Sequence, residues 1–138
     1  LTDGEQLTIP LHSTGKGFRI HKFEVIPETP TSDGGVEHIV QVWKVKQTSV
    51  PTAAPAPIDF SDQALLGAAI YVANDDPQYA HTTNVVFDRE IINQNIYVTH
   101  SDTNGNDNCN FYLELEEITM NDAESAVVNF NAAIVHDS

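Results

Sequence analysis

Short segments in which apolar and polar residues alternate recur along this 138-residue chain, separated by turn-forming residues. A period of two is typical of β-strands, because successive side chains of a strand point to opposite faces of a sheet. Clear examples are QLTIPL at 6–11, FRIHKFEVI at 18–26, VEHIVQVWKVKQ at 36–47 and AVVNFNAAIV at 126–135. The sequence shows no convincing amphipathic helix, so it predicts an all-β fold.

Three segments carry more detailed predictions. In FRIHKFEVI the apolar phase slips by one residue, which predicts a β-bulge near His21–Lys22. VEHIVQVWKVKQ is apolar on both phases, which predicts a central strand that needs cover on both faces and favours a contact between subunits of a homo-oligomer. QALLGAAIYV at 63–72 has the Ala and Leu content of a helix, but Gly67 and its Ile-Tyr-Val end favour a strand.

Three further segments, at 85–92 (VVFDREII), 94–100 and 109–117, bring the predicted number of strands to eight. NDDPQYAHTTN at 74–84 is predicted to be a loop, and the connection at 48–60 is rich in proline. Long, uneven connections favour a Greek-key or jelly-roll arrangement over a simple meander. We therefore expect residues 1–138 to form one eight-stranded, jelly-roll-like β-sandwich domain.

The charge of the chain restricts its partners. Six basic and twenty acidic residues give a net charge of −14, and residues 51–138 contain a single base, Arg89. Such a surface repels nucleic-acid phosphates and anionic membranes, so neither is expected as a partner. The single cysteine, Cys109, excludes an intrachain disulfide, which is compatible with assembly in a reducing cytoplasm.

The Asn104-Gly105 dipeptide is a strong signal for a two-residue hairpin turn between the segments at 94–100 and 109–117. In that register Val98 faces Phe111 in the core, and Tyr97 faces Tyr112 on the opposite face. On each face the opposed side chains are alike in polarity, which supports the register. The segment at 101–108 is then expected to be an exposed polar loop.

The same loop contains a weak candidate for a calcium site. Its oxygen-bearing side chains are Asp102, Asn104, Asn106 and Asp107. The glycine stands at the fourth place of the motif rather than the sixth, and no Glu stands at the twelfth. A plain polar loop is therefore favoured, and no metal or other cofactor is expected.

Other catalytic chemistry finds little support in the sequence. The six histidines show no paired metal spacing, and one cysteine does not make a zinc site. His100 would face Cys109 in the hairpin, which fits either a thiol nucleophile or, more simply, a partly buried polar contact. Glu114, Glu116 and Glu117 resemble the acid cluster of retaining β-glucanases, but a solvated strand face is favoured. We identify no catalytic residue and expect no enzymatic activity.

Aromatic and basic side chains supply candidates for a contact surface. The candidates are Trp43, Lys44, Tyr97 and Tyr112. The paired tyrosines could contact another subunit or partner, stabilise a ladder, or stack on a sugar, in that order of preference.

The run NVVFDREIINQNIYVTHSDTNGNDNCNFYLELEEITMNDAESA at 84–126 resembles the C-terminal part of small virion proteins of tailed bacteriophages, especially marine and cyanobacterial ones. The similarity rests on NQNIYVTHSDT, NFYLELEEI and MNDAESA, about a third of the chain, and on GFRIHKFEV near its start. The proline-rich stretch at 51–57 has no counterpart in those virion proteins.

This resemblance implies a short acidic β-domain, usually trimeric and without enzymatic activity, that decorates or cements the capsid or forms a head fibre. The implied partner is the major capsid protein or another virion protein, and the implied location is the capsid surface after assembly in the host cytoplasm. A carbohydrate- or receptor-binding β-sandwich, such as an adhesin or fibre tip, is the alternative.

Overall fold

The structure is a computed structural model that describes residues 1–12, 14–28, 35–73, 81–87 and 91–119. Seven β-strands run through this part of the chain. They are β1 Gln6–Ile9, β2 Lys16–Pro27, β3 Val36–Trp43, β4 Leu65–Ala73, β5 His81–Val86, β6 Ile96–Asp102 and β7 Cys109–Thr119. The described residues include no helix long and apolar enough to cross a membrane.

The strands form two antiparallel sheets, which confirms the predicted all-β class. The larger sheet has the order β1-β6-β3-β4-β5, and the smaller one pairs β2 with β7. Three connections, β1–β2, β2–β3 and β6–β7, pass from one sheet to the other, as expected for a jelly-roll-like sandwich. The eighth predicted strand, at 126–135, lies outside the described residues.

The core lies between the two sheets. Phe23 and Val25 of β2 are buried there against Val40, Val42 and Val98 of the larger sheet. Apolar side chains of β7, among them Phe111, are partly buried against the same cluster. The alternation seen in the sequence therefore places one face of each sheet in a shared core, as the sandwich requires.

Strand β2 contains the predicted irregularity. Its register against β7 shifts between Ile20 and Lys22, which confirms a bulge at His21. His21 is exposed, whereas Phe23, two residues later, is only 1% exposed. The extra residue therefore keeps the apolar side chains on the inward face despite the slip in the sequence pattern.

The two strands at the centre of the larger sheet also match their predictions. β3 pairs with β6 on one side and β4 on the other, and seven of its eight residues are buried. The ambiguous segment at 63–72 is strand β4. A Cβ at Gly67 would lie 3.2 Å from the Val85 carbonyl oxygen and 3.5 Å from the Phe23 ring, so this glycine allows a close approach.

Strand β5 begins earlier than the sequence predicts. Residues 81–84, expected to belong to a loop, pair with β4, so that part of the prediction is wrong. Within the predicted strand at 85–92, Val85 and Val86 are in β5 and residues 88–90 are not described. The segment HTTNVV is rich in β-branched residues, which fit a pleated strand well.

The predicted hairpin between 94–100 and 109–117 is wrong. β6 pairs with β1 and β3, whereas β7 pairs with β2 along its whole length. Val98 and Phe111 both face the core, but they enter it from opposite sheets. Gly105 has the positive φ of a turn glycine, at 85°, and lies in the passage of the chain from one sheet to the other.

The proline-rich connection covers the outer face of the larger sheet. The nitrogen of Lys44 donates to the oxygen of Ala64 at 2.9 Å, which closes the ends of the segment 44–64. Between these ends, Ser101 Oγ donates to the Pro51 carbonyl at 2.7 Å. The amide of Gln41 donates to the Pro57 carbonyl at 3.4 Å. Both faces of β3 are thus covered within one chain.

Candidate functional site

The proposed calcium loop does not have the form expected from the sequence. Asp102, expected in an exposed loop, is the last residue of β6 and is fully buried. Its Oδ1 accepts from the nitrogen of Gly105. The side-chain Nδ2 of Asn104 donates to Asp107 Oδ2 at 2.9 Å. Asn106 is exposed. These bonds tie oxygens of the loop to donors of the same loop, as in a polar turn.

The four candidate contact residues occupy different environments. Trp43 is buried, and its Nε1 donates to Thr99 Oγ1 at 3.0 Å, so it belongs to the covered outer face of the sheet rather than to an exposed surface. Lys44 and Tyr97 are half-buried. Tyr112 is 55% exposed, which leaves it as the one exposed member of the set.

The predicted pairing of the two tyrosines is also wrong, because they lie in different sheets. Tyr97 stands opposite Thr8 and Trp43 in the larger sheet. Tyr112 stands opposite Glu24 in the smaller one. A sugar platform built from both rings is therefore not formed.

Tyr112 instead neighbours Ile26, which is 60% exposed, on the outward face of the smaller sheet. Ile26 is paired with Asn110, so Ile26 and Tyr112 are diagonal neighbours across the ladder. Lys22 Nζ lies 5.9 Å from the centroid of the Tyr112 ring, and the hydroxyl of Tyr112 donates to Glu114 at 3.2 Å. We call Ile26 and Tyr112 the outer patch.

Beyond the outer patch the same face is charged. The cross-strand partners on this face are Arg19–Glu116 and Lys22–Glu114. On the other phase of the same two strands, Lys16 Nζ lies 3.1 Å from Glu117 Oε1. The side chains of Lys16 and Glu117 are about half exposed, so this ion pair adds little stability. Glu114 and Glu116 therefore lie on a solvated strand face, whereas Glu117 is exposed on the opposite phase of the strand. Bases of the first half of the chain lie beside acids of the second.

A second group of functional side chains is buried between the sheets. His38 on β3 and His100 on β6 are both fully buried, and Cys109 at the start of β7 is 1% exposed. Each of the three offers one ligand atom, and these atoms all lie within 4.8 Å of one another. We call these residues the His–Cys cluster. It joins the two sheets at the end of the sandwich where β6 ends and β7 begins.

The hydrogen bonds of the cluster define its protonation. His100 Nδ1 lies 2.9 Å from the carbonyl oxygen of Thr2, and His38 Nδ1 lies 3.0 Å from His100 Nε2. A carbonyl oxygen only accepts, so Nδ1 of His100 carries a hydrogen. In neutral His100 the Nε2 is then an acceptor, and it receives the hydrogen of His38 Nδ1. The two ring planes are inclined by 16°, and their centroids are 5.2 Å apart.

The start of the chain packs over this cluster. The nitrogen and oxygen of Leu1 exchange hydrogen bonds with the oxygen and nitrogen of Cys109, at 2.8 and 2.9 Å. The nitrogen of Gly4 donates to the His100 oxygen at 2.8 Å, and Asp3 Oδ1 accepts from the nitrogen of Asp102 at 2.9 Å. Residues 1–5 therefore seal the end of the sandwich.

Burial determines the acid–base behaviour of the cluster. It holds the pKa of His100 below its usual range because the charged ring would lose hydration, although the bond to Thr2 acts in the opposite direction. Asp102 stands directly across from His38 in the β3–β6 register. Its buried Oδ2 has no hydrogen-bond partner among the described residues.

Sequence reasoning found part of this cluster by the wrong route. It placed His100 near Cys109 through a hairpin, whereas the two residues meet across the core. Their near-complete burial favours the polar contact over a thiol nucleophile, which a substrate would have to reach. His38 was missed because it lies 62 residues from His100. The available signal was three ligand-type residues on inward-facing phases of apolar strands.

One further cavity lies under the proline-rich connection. Its volume is about 200 Å³, and its wall includes Gln41, Trp43, Pro51 and Ser101. The Oε1 of buried Gln41 has no partner among the described residues. The cavity is partly open to the surface, and the polar groups in its wall could hold ordered water.

Comparisons of the chain with models of known protein families, with curated protein sequences and with solved structures found no match. The geometry thus leaves two features with functional potential. One is the exposed outer patch on the smaller sheet, and the other is the buried His–Cys cluster.

Proposed function

We propose that this protein is a non-enzymatic virion structural protein, a capsid decoration or cement protein that binds the outer surface of a tailed-phage head and stabilises it. Support comes from the sequence patterns shared with such proteins and from the acidic, all-β character of the chain. The proposed partner is the major capsid protein or another virion protein. A protein of this kind acts through surface contact and needs no catalytic cleft.

The outer patch is the observation that carries the proposal. Ile26 and Tyr112 are large side chains, each more than half exposed, and they adjoin on a sheet face that is otherwise charged. Tyrosine is enriched at protein interfaces because its ring is apolar and its hydroxyl keeps a polar contact. A small apolar centre surrounded by paired charges fits the usual anatomy of a contact surface.

We also propose that the protein is a homotrimer, but for a different reason from the one given by its sequence. The apolar second face of β3 suggested a subunit interface, yet residues 44–64 of the same chain cover that face. The trimer therefore rests on the resemblance to virion proteins, because the outer patch is assigned to the capsid contact. Tyr112, rather than Trp43, is the candidate for that capsid contact.

Binding to phage heads tests the proposal. Labelled protein is sedimented with purified heads of tailed phages of marine cyanobacteria, stripped of their own decoration proteins. We expect saturable binding by the wild type and at least tenfold weaker binding by Tyr112→Ser and Ile26→Ser. Leu7→Ser is the matched control, since Leu7 is an exposed apolar residue of the opposite sheet. Equal binding by all variants would contradict a contact through the outer patch.

A glycan array separates this function from a carbohydrate-binding module. The decoration protein is expected to give no specific signal, with Tyr112→Ala indistinguishable from the wild type. Specific glycan binding that is lost in Tyr112→Ala would favour an adhesin or fibre tip instead.

A further inference from the structure

We infer that the His–Cys cluster is a binding site for a single zinc ion, held by His38, His100 and Cys109. This site is independent of the proposed contact surface. It would join the two sheets of the sandwich, since His38 and His100 belong to the larger sheet and Cys109 belongs to the smaller one. Its role would be to stabilise the fold.

The donor atoms lie close to the positions that zinc requires. Zinc binds imidazole nitrogen at about 2.0–2.1 Å and thiolate sulfur at about 2.3 Å, which in a tetrahedron separates the donor atoms by about 3.3–3.6 Å. The facing nitrogens of His38 and His100 are 3.0 Å apart, and all three donors lie within 4.8 Å of one another. Side-chain adjustments on the order of 1 Å would bring them around one ion.

The surroundings of His100 match those of a metal-binding histidine. A histidine ligand usually donates its other ring N–H to a carbonyl or carboxylate, which orients the ring and presents the second nitrogen to the metal. The Nδ1–H of His100 makes this bond to the Thr2 carbonyl, so its Nε2 presents a lone pair to the centre of the cluster.

The charge of the neighbourhood favours a dication. Asp102 lies on the same strand two residues from His100, and its buried Oδ2 has no partner among the described residues. Its carboxylate is not within the group of converging donors, so it acts through charge rather than as a ligand. A thiolate at Cys109 and the carboxylate of Asp102 would together balance the two charges of Zn²⁺ in a site removed from water.

Zinc binding moves a proton at two of the three ligands. The thiol of Cys109 loses its proton to solvent as the zinc–sulfur bond forms. His38 moves its hydrogen from Nδ1 to Nε2, so that Nδ1 binds zinc without a net change in its protonation. His100 keeps its hydrogen on Nδ1 and binds through Nε2. One proton is therefore released for each zinc ion bound.

The test uses the whole protein, stripped of metal with a chelator and titrated with Zn²⁺ or Co²⁺. We expect one equivalent of zinc to bind and the melting temperature to rise by about 9 °C at a hundredfold excess over Kd. Cobalt should give a thiolate charge-transfer band and the visible bands of tetrahedral Co²⁺, and zinc should abolish both. Absence of zinc binding would overturn the inference.

Variants and spectroscopy identify the ligands. Cys109→Ser should abolish the charge-transfer band and weaken zinc binding by at least a hundredfold, whereas His21→Gln, at an exposed histidine of β2, should leave both unchanged. X-ray absorption at the zinc edge of the wild type needs no variant, and it should show one sulfur, two imidazole ligands and a fourth, oxygen ligand that completes the tetrahedron. Full affinity in Cys109→Ser, or a zinc shell without sulfur, would overturn the assignment.

Discussion

Replacing three aromatic side chains by alanine measures how deeply each one lies between the sheets. Phe23 is 1% exposed, Phe111 is half-buried on the inward face of β7, and Tyr112, the next residue, is 55% exposed. Truncation of a fully buried phenylalanine costs about 3–5 kcal/mol, which we expect for Phe23→Ala. We expect about 2–3 kcal/mol for Phe111→Ala because solvent already reaches part of its ring, and under about 1 kcal/mol for Tyr112→Ala.

Urea unfolding followed by the fluorescence of Trp43 provides the assay. Trp43 is the single tryptophan, and it is buried in the larger sheet, whereas all three substitutions are in the smaller one. A loss of its native signal therefore reports unfolding of the whole sandwich. In thermal melts, the cost of Phe23→Ala corresponds to a decrease of about 10–17 °C.

The order of the three effects matters more than their absolute size. Phe111 and Tyr112 are neighbours on one strand and differ in the face to which they point. A cost for Tyr112→Ala equal to that of Phe111→Ala, or a cost for Phe111→Ala exceeding that of Phe23→Ala, would refute the described alternation of β7.

Four substitutions test the sealed end of the sandwich. Gly105→Ala should destabilise the protein by about 1–2 kcal/mol, because Gly105 has a positive φ and a Cβ there would lie 2.9 Å from Cβ of Ala53. Ala53 also has a positive φ, at 51°, so Ala53→Gly should stabilise the protein. In a double-mutant cycle of urea melts, Ala53→Gly should also reduce the cost of Gly105→Ala. Strict additivity of the two effects would count against the contact between the residues. With chelator present, the free energy of unfolding should fall as the pH drops below about 6.5, because burial lowers the pKa of folded His100 and the unfolded chain takes up the proton first. His100→Gln should lessen this slope, which is at most about 1.4 kcal/mol per pH unit for one group, and an unchanged slope would exclude His100 as its source. Asp102→Asn should raise the melting temperature of the metal-free protein, because it removes a buried charge whose Oδ2 has no partner while keeping the oxygen that accepts from Gly105; a lower melting temperature would contradict this.

The local features of the fold were predictable from the sequence. The bulge in β2 follows from the slip of the apolar phase, and the central position of β3 follows from apolar residues on both phases. In each case the signal is the burial of neighbouring side chains, which a short window of sequence contains.

Strand partners were not predictable in the same way. An alternating pattern states which side chains point inward, but it does not state which strand lies alongside. Val98 and Phe111 both point into the core, so their agreement is satisfied equally by two strands of one sheet and by two strands facing across a sandwich. The pairing of β7 with β2 joins residues that are far apart in the sequence. The Asn104-Gly105 dipeptide indicates only a local turn, so it does not predict this pairing.

The candidate site shows the same division. Tyr112 was identified correctly as an exposed side chain, whereas Trp43 was assigned to a surface because the covering role of the connection at 44–64 could not be read from its prolines. The His–Cys cluster depends on three strands from two sheets, so residue spacing along the chain does not reveal it.

The mass of the native assembly tests the proposed virion role most directly. The single chain has a mass of 15.2 kDa, and native mass spectrometry at micromolar concentration should give three times this value. Tyr112→Ser should leave the trimer intact, because the outer patch is assigned to the capsid contact and not to a contact between subunits. A strictly monomeric wild type, with no larger species at any concentration tested, would contradict an oligomeric capsid component and favour a monomeric binding module.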